Sequence, residues 1–225
     1  MLNYAIEPSI LAPLVPAGTE LDSWNGITYI SVIGLLFSGT KLSGLSIPFH
    51  RKFEEVNLRF YVRRKAIEGW RRGVVFIKEI VPRSMVAVMA QYLYNEPYIS
   101  LPMSHQIETS ADSLRSVRYN WRFGGRPNSL TATVCGDPKA LTIGTEAEFI
   151  TEHYWGYNRQ RNGSTLEYQV EHPRWNYYDV AKASLQCDVA GLYGTVFQAS
   201  LSGAPLSAFL AVGSAISVHH GVKLQ

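Results

Sequence analysis

Residues 53–62, Phe-Glu-Glu-Val-Asn-Leu-Arg-Phe-Tyr-Val, alternate with a period of two. Val56, Leu58, Phe60 and Val62 fall on one side, and Glu55, Asn57, Arg59 and Tyr61 on the other. Successive side chains of a strand point to opposite faces, so the stretch predicts a strand with one face for a core. The second face carries an acid, an amide, a guanidinium and a phenol. Such a row suits a solvated sheet face or the lining of a polar cavity. A basic turn and the apolar run 73–81 complete a hairpin. Residues 83–94, apolar at Met85, Val86, Met89 and Leu93, predict a core-facing helix. It stops at Glu96-Pro97, because proline lacks the amide proton and crowds the turn before it.

The flanking pattern extends this unit. Pro8 suits a first helical turn, Leu11 and Leu14 give a short apolar face, and Pro16 ends the helix. Met1 lies almost inside that element, which fits a natural chain that begins earlier. Residues 19–22 and 27–37 predict two strands joined at Trp24-Asn25-Gly26, since Asn-Gly is the strongest short hairpin signal. The second is apolar on both faces, as a doubly buried strand would be. Residues 39–50, rich in Gly, Ser and Pro, form a loop. Val117, Tyr119, Trp121 and Phe123 alternate with polar residues, turn at 124–128 and return through Leu130, Ala132 and Val134. Thr145 and Glu148 have capping-box spacing, predicting a helix from Glu146 to about Tyr154. Leu166, Tyr168 and Val170 predict a strand ended by His172-Pro173, and 184–189 and 209–218 close the chain as strands. About ten strands and about three helices, with no linker and no internal repeat, predict one domain over 1–225 built on a closed or strongly curved sheet.

Composition narrows the function classes. Of 225 residues, 46% are hydrophobic and 17% charged, which describes a globular chain with a sizeable core. The net charge of +3 is slight. Only Arg63-Arg64-Lys65 and Arg71-Arg72 cluster, which predicts a solvated hairpin tip rather than the basic stripe that nucleic-acid binding needs. Two cysteines and no signal-peptide pattern point to a reduced cytoplasm. The apolar runs 27–37 and 206–218 are too short to span a bilayer and predict core strands. The expectation is therefore a protein that binds neither nucleic acid nor membrane; a homo-oligomer is compatible with it.

Several residues stand out chemically. Lys78 and Glu79 are neighbours on a strand and point to opposite faces; whichever is inward has its charged form disfavoured by burial. Pro97 gathers Tyr94, Asn95, Glu96 and Tyr98 into a compact turn, a common place for binding groups. None of the six histidines has the i, i+4 spacing of a helical zinc site. No nucleophile elbow or phosphate loop appears. The sequence thus calls for no metal and no cofactor. His172 and Trp175, at a strand end, line a pocket mouth or pack on each other.

Nearly the whole chain resembles an uncharacterised bacterial family, the YqjF-like proteins. The segments LVPAGTELDSWNG, FEEVNLRFYV, RRGVVFIKEIVPR, LYNEPY, EFITEHY and VEHPRW carry the resemblance, in that order. Roughly the first 105 residues are also similar, more faintly, to acetoacetate decarboxylase, through LVPAGTELD, LYNEPYISLP and the strand–hairpin–strand–helix–Pro layout. That resemblance implies an α+β fold: a mainly antiparallel, cone-shaped, closed β-barrel with a central cavity and a few short helices. It sets Glu55 where that family has an active-site glutamate, and Pro97 before its catalytic lysine pair. Here the lysine positions read Tyr98 and Ile99, and Ala5 stands near the place of an expected arginine. An imine needs a lysine, so the resemblance implies the fold and a cavity without the decarboxylase reaction. The cavity lining would comprise Glu55, Asn57, Arg59, Tyr61, Tyr94, Glu96 and Tyr98. Three readings follow. One is a binding protein for a small organic acid or aromatic metabolite. Another is a lyase or isomerase using Glu55 as base and Tyr98 as acid. The third is a structural protein with a filled barrel.

Overall fold

The computed structural model describes residues 1–38, 41–42, 45–46, 52–82, 97–110 and 113–224. The helix expected over 83–94, and with it Tyr94 and Glu96, lies outside the described residues. In chain order the strands are β1 (Leu2–Ala5), β2 (Glu20–Leu21), β3 (Ser23–Trp24), β4 (Ile27–Ser38), β5 (Lys41–Leu42), β6 (Leu45–Ser46), β7 (Lys52–Ala66), β8 (Gly69–Val81) and β9 (Tyr98–Ser100). Then come β10 (Met103–Ser110), β11 (Ser113–Phe123), β12 (Arg126–Lys139), β13 (Trp155–Arg159), β14 (Thr165–Glu171), β15 (Tyr177–Gln186), β16 (Ser207–Ala211), β17 (Ser217–Val218) and β18 (Val222–Leu224). Short helices cover Pro8–Leu11, Glu146–Thr151, Val189–Leu192 and Gln198–Leu201.

Among the described residues, sixteen strands form one mixed, mostly antiparallel sheet in the order β10-β11-β12-β15-β16-β1-β4-β7-β8-β13-β14-β17, with β2, β3, β9 and β18 attached at β7, β4, β8 and β14. Among the described residues only β9 and β13 run parallel to their neighbour, β8. The ladder is not ring-closed among the described residues: its path ends at β10 and β17. The sheet nevertheless curls over itself. A Cβ placed on Gly34 of β4 would lie 2.5 Å from the ring of Tyr119 on β11, five strands away in the order. His105 of β10 meets Glu54 of β7 at 2.6 Å.

The curl buries the apolar side of β7. Val56, Leu58, Phe60 and Val62 are fully buried. They pack with Ile30, Val32, Ile80, Tyr119, Trp121 and Leu130, and with Leu11, Leu192, Phe197 and Leu201 from the helical segments. A second cluster occupies the opposite side: Tyr29, Tyr61 and Val74 under Phe149 and Ile150 of the helix Glu146–Thr151. Thr145 caps that helix by accepting from Glu148 N.

Several local expectations are corrected. The chain opens with β1 before the helix, held between β4 and β16. The helix stops at Leu11 and continues as a 3-10 turn whose Leu14 is exposed. Asn25 and Gly26 do form the hairpin turn, both at positive φ (50° and 79°), but the strand they return is β3, while β2 within 19–22 pairs with β7. Residues 41–46, expected as loop, contain the β5–β6 pair. The helix after Thr145 ends at Thr151, and β13 begins at Trp155. Strand β15 ends at Gln186, after which Asp188 caps a helix by accepting from Gly191 N. Most of 206–218 is not core: Leu206, Val212, Ile216 and Val218 are exposed.

The basic residues also sit elsewhere. The hairpin tip is Ile67-Glu68, and Arg63 and Arg64 face Arg72 and Arg71 within the β7–β8 ladder. Like charges opposite one another are tolerated there because carboxylates interleave them. Arg63 pairs with Glu20, Arg72 with Asp22, and Arg64 and Arg71 share the buried Glu167 of β14. The cluster is an ion-pair network rather than a solvated tip. No helix among the described residues is long and apolar enough to cross a membrane.

Candidate functional site

Strict alternation along β7 sets Glu55, Asn57, Arg59 and Tyr61 on the side away from the main core. A bulge then decides what faces them. Leu58 pairs with Lys78 but Arg59 with Phe76, so Ile77 is the extra residue. Asn57 is thereby opposite Glu79, which joins the polar side, whereas Lys78 lies opposite Leu58 on the apolar side. Of the two neighbours singled out in the sequence, Glu79 is the one brought to the polar row, and it is buried.

Tyr98 arrives on a strand, not in the compact turn expected after a helix. β9 runs parallel to β8 with Tyr98 in register with Glu79, and the Pro97 carbonyl accepts from Glu79 N. This carries the Tyr98 hydroxyl to Glu55, whose Oε2 accepts from it at 3.2 Å. Oε1 accepts from Asn57 Nδ2 at 2.9 Å. Glu55 is only 3% exposed. Burial raises its carboxyl above the ordinary value, and the bonds from Asn57 and Tyr98 and the charge of Arg59 only partly offset this.

The row continues differently. Arg59 donates from Nη2 to the Ile150 carbonyl at 3.1 Å and lies 5.5 Å from the Tyr61 ring centre. Tyr61 bonds Ser31 at 2.7 Å; Ser31 spends its one hydroxyl proton on Asn3, so Tyr61 is the donor. Asn3 in turn donates to Ser207. The result is a buried polar line across β7, β4, β1 and β16. The sequence offers no sign of it, because Asn3 and Ser207 are 204 residues apart.

The sequence gives no sign of His153 either. It follows the helix Glu146–Thr151, is buried, and lies tilted against Tyr61 at 4.7 Å and edge-on to Phe149 at 5.6 Å. Burial, then Arg72 and Arg59, hold its pKa well below the ordinary value, so the ring is neutral. His172 and Trp175 stack at 4.0 Å and 16°, with Tyr154 against the histidine and the indole N–H on Ser214. They have no described contact with the Glu55 group. A cavity of about 390 Å³ opens between Leu185–Ala190 and Gln198–Ser202 and includes none of these residues. Among the described residues, no three His, Cys, Asp or Glu side chains are grouped to hold a metal ion.

Solved structures share this fold. An acetoacetate decarboxylase from Legionella pneumophila superposes with TM-score 0.62 at 12% identity, covering 100% of this chain and 83% of that one. The enduracididine biosynthesis enzyme MppR complexed with pyruvate gives 0.66 at 12% identity, covering 100% and 86%. At such identities the likeness is one of fold. The uncharacterized protein YqjF of Bacillus subtilis (strain 168) is 27% identical over 177 residues, 77% of this chain and 69% of that protein. The profile of DUF2071, described as an uncharacterized conserved protein, matches residues 1–215, so the chain belongs to the DUF2071 family.

Proposed function

We propose that the polar side of β7 binds a small organic acid in a single acetoacetate-decarboxylase-like barrel closed around a cavity. One observation carries this reading. Arg59 has no carboxylate within ion-pair distance among the described residues, and it shares a face with Glu55, an acid that burial keeps protonatable. An unpaired guanidinium beside such an acid suits a carboxylate ligand, which it can hold bidentately. The MppR complex with pyruvate offers an acid of this size in a protein of the same fold. Calorimetric titration with a panel of small acids, pyruvate included, tests the reading. Arg59→Lys keeps the charge and loses the planar fork, so it should weaken binding roughly tenfold or more. If it instead lowers the melting temperature and leaves affinity unchanged, Arg59 is a wall residue and the reading fails.

Catalysis through an imine is not part of this proposal, because Tyr98 and Ile99 stand where the decarboxylase resemblance sets lysines. Incubation with acetoacetate and borohydride should leave the mass unchanged; an adduct on Lys78 would overturn that. A second reading is favoured by the direct Tyr98–Glu55 bond: a lyase or isomerase with Glu55 as base and Tyr98 as acid. Its mark would be exchange of α-protons of the bound acid with deuterated solvent, abolished by Glu55→Gln.

A further inference from the structure

Four buried nitrogens beside the helix Glu146–Thr151 have no hydrogen-bond partner: Arg59 Nε, Arg72 Nη2, and Nδ1 and Nε2 of His153. They come from β7, β8 and the segment after the helix, yet they surround one aromatic pair. Arg59 and His153 lie against Tyr61, at 5.5 and 4.7 Å. Arg72 and His153 lie against Phe149, at 4.5 and 5.6 Å, and the Tyr61 and Phe149 rings are 5.4 Å apart. Buried polar groups in folded proteins are almost always paired, so this concentration needs an explanation. Asp22 occupies only Nε of Arg72. A water would bring its own protons to a shell already rich in donors, whereas a carboxylate brings lone pairs alone. The two guanidiniums also help keep His153 neutral, and the one N–H of the neutral ring faces the Ile150 backbone without forming a well-aligned bond.

We propose that Arg59, Arg72 and His153 form a partly buried anion seat that takes the carboxylate of the bound acid. Arg59 would donate through Nε, Arg72 through Nη2 and His153 through its single ring N–H. The proposal rests on the organic-acid reading and adds to it two residues that lie outside the alternating motif of β7. The seat also accounts for Arg59 holding the Ile150 carbonyl with Nη2 while leaving Nε unused.

The test uses the full chain with acetate and pyruvate as probes, at constant ionic strength. His153→Phe keeps a ring against Tyr61 and Phe149 and removes both nitrogens. Arg72→Lys keeps the charge opposite Asp22 and loses Nη2. Each should weaken acid binding about tenfold or more in calorimetry. In the wild-type protein, saturating acetate should shift a ¹⁵N resonance of the His153 ring, a readout that does not depend on any variant folding. An unmoved His153 resonance at saturation overturns the seat whatever the variants do. So does unchanged affinity in both folded variants, and in either case the organic-acid reading survives. If the wild-type protein binds neither these probes nor any other small acid, both fall together.

Discussion

Both faces of β7 are largely withdrawn from water, Arg59 being the least buried of the row, and they are built on different physics. Leu58 and Phe60 on one side are 0% exposed, and Asn57 and Tyr61 on the other are 1% exposed. The apolar side gains from burial itself, roughly 1.5–3 kcal/mol for each large side chain. The polar side gains only where each group finds a partner; elsewhere burial works against it. Glu55 has two donors, Tyr61 has Ser31, and Arg59 Nε and the amide oxygen of Asn57 have no partner. A core can be incompletely satisfied in this way when the missing partner is a ligand.

Substitutions can break that comparison. The largest effect belongs to the apolar side: Phe60→Ala should cost about 3–5 kcal/mol, the sum of lost transfer energy and a cavity, measured by urea unfolding. A loss below about 1 kcal/mol would mean that the main core does not rest on β7. Next is Gly34→Ala, which tests the curl. Its Cβ would meet the Tyr119 ring at 2.5 Å and Leu130 at 3.1 Å, so one sheet layer must give way. Overpacking of this kind costs about 1–3 kcal/mol. A neutral result would show that β11 does not press on β4.

The alternation of β7 and the Asn25-Gly26 turn were legible because both are local: a period of two, and a pair of residues that accept positive φ. Glu55 and Arg59 could be marked as candidates for the same reason. What could not be read depends on distant partners. Leu2–Ala5 is too short to declare itself, and it is a strand because Leu2 pairs with Val32 and Ala208. The arginines of β7 and β8 looked like a wet tip because Glu167, which takes two of them, lies about a hundred residues onward. Which of Lys78 and Glu79 joins the polar row is set by the bulge at Ile77, and no spacing announces it. The spacing of His153 speaks only to metal binding, whereas its place against Tyr61 arises from the helix packing down on that ring.

Glu55→Gln sharpens the comparison by removing a charge while keeping the shape. The folded pKa of Glu55 lies above its reference value of 4.5, so between the two values the native state binds the extra proton. Stability tied to this group is fully present below the unfolded value and is lost as pH rises through the folded value. The amide cannot ionise. Glu55→Gln should therefore stabilise the protein at neutral pH, by about 1 kcal/mol, the low end of the cost of burying an incompletely satisfied polar group, and the gain should vanish near pH 4. Thermal unfolding across pH checks this. A variant less stable than wild type at pH 7 would mean that the ionised Glu55 is well solvated by its partners, contrary to the assignment.

Tyr98→Phe should have the smallest effect and is the most specific to the site. The phenol donates to Glu55 Oε2 at 3.2 Å and so favours the ionised carboxylate. Without that donor the carboxyl of Glu55 titrates at still higher pH, while the ring retains its packing against Phe53 and Val81. Stability should change by only about 0.5 kcal/mol, the low end of the net worth of one hydrogen bond, since this one is long. The informative quantity is the titration midpoint of the Glu55 side-chain carboxyl, followed by ¹³C NMR. It should move upward in Tyr98→Phe and stay in place in Lys78→Met, since Lys78 lies on the opposite side of the sheet. The reverse pattern, with Lys78→Met moving the midpoint and Tyr98→Phe leaving it alone, would exchange the two faces. It would remove Tyr98 from the site, and with it the acid–base reading that depends on the phenol.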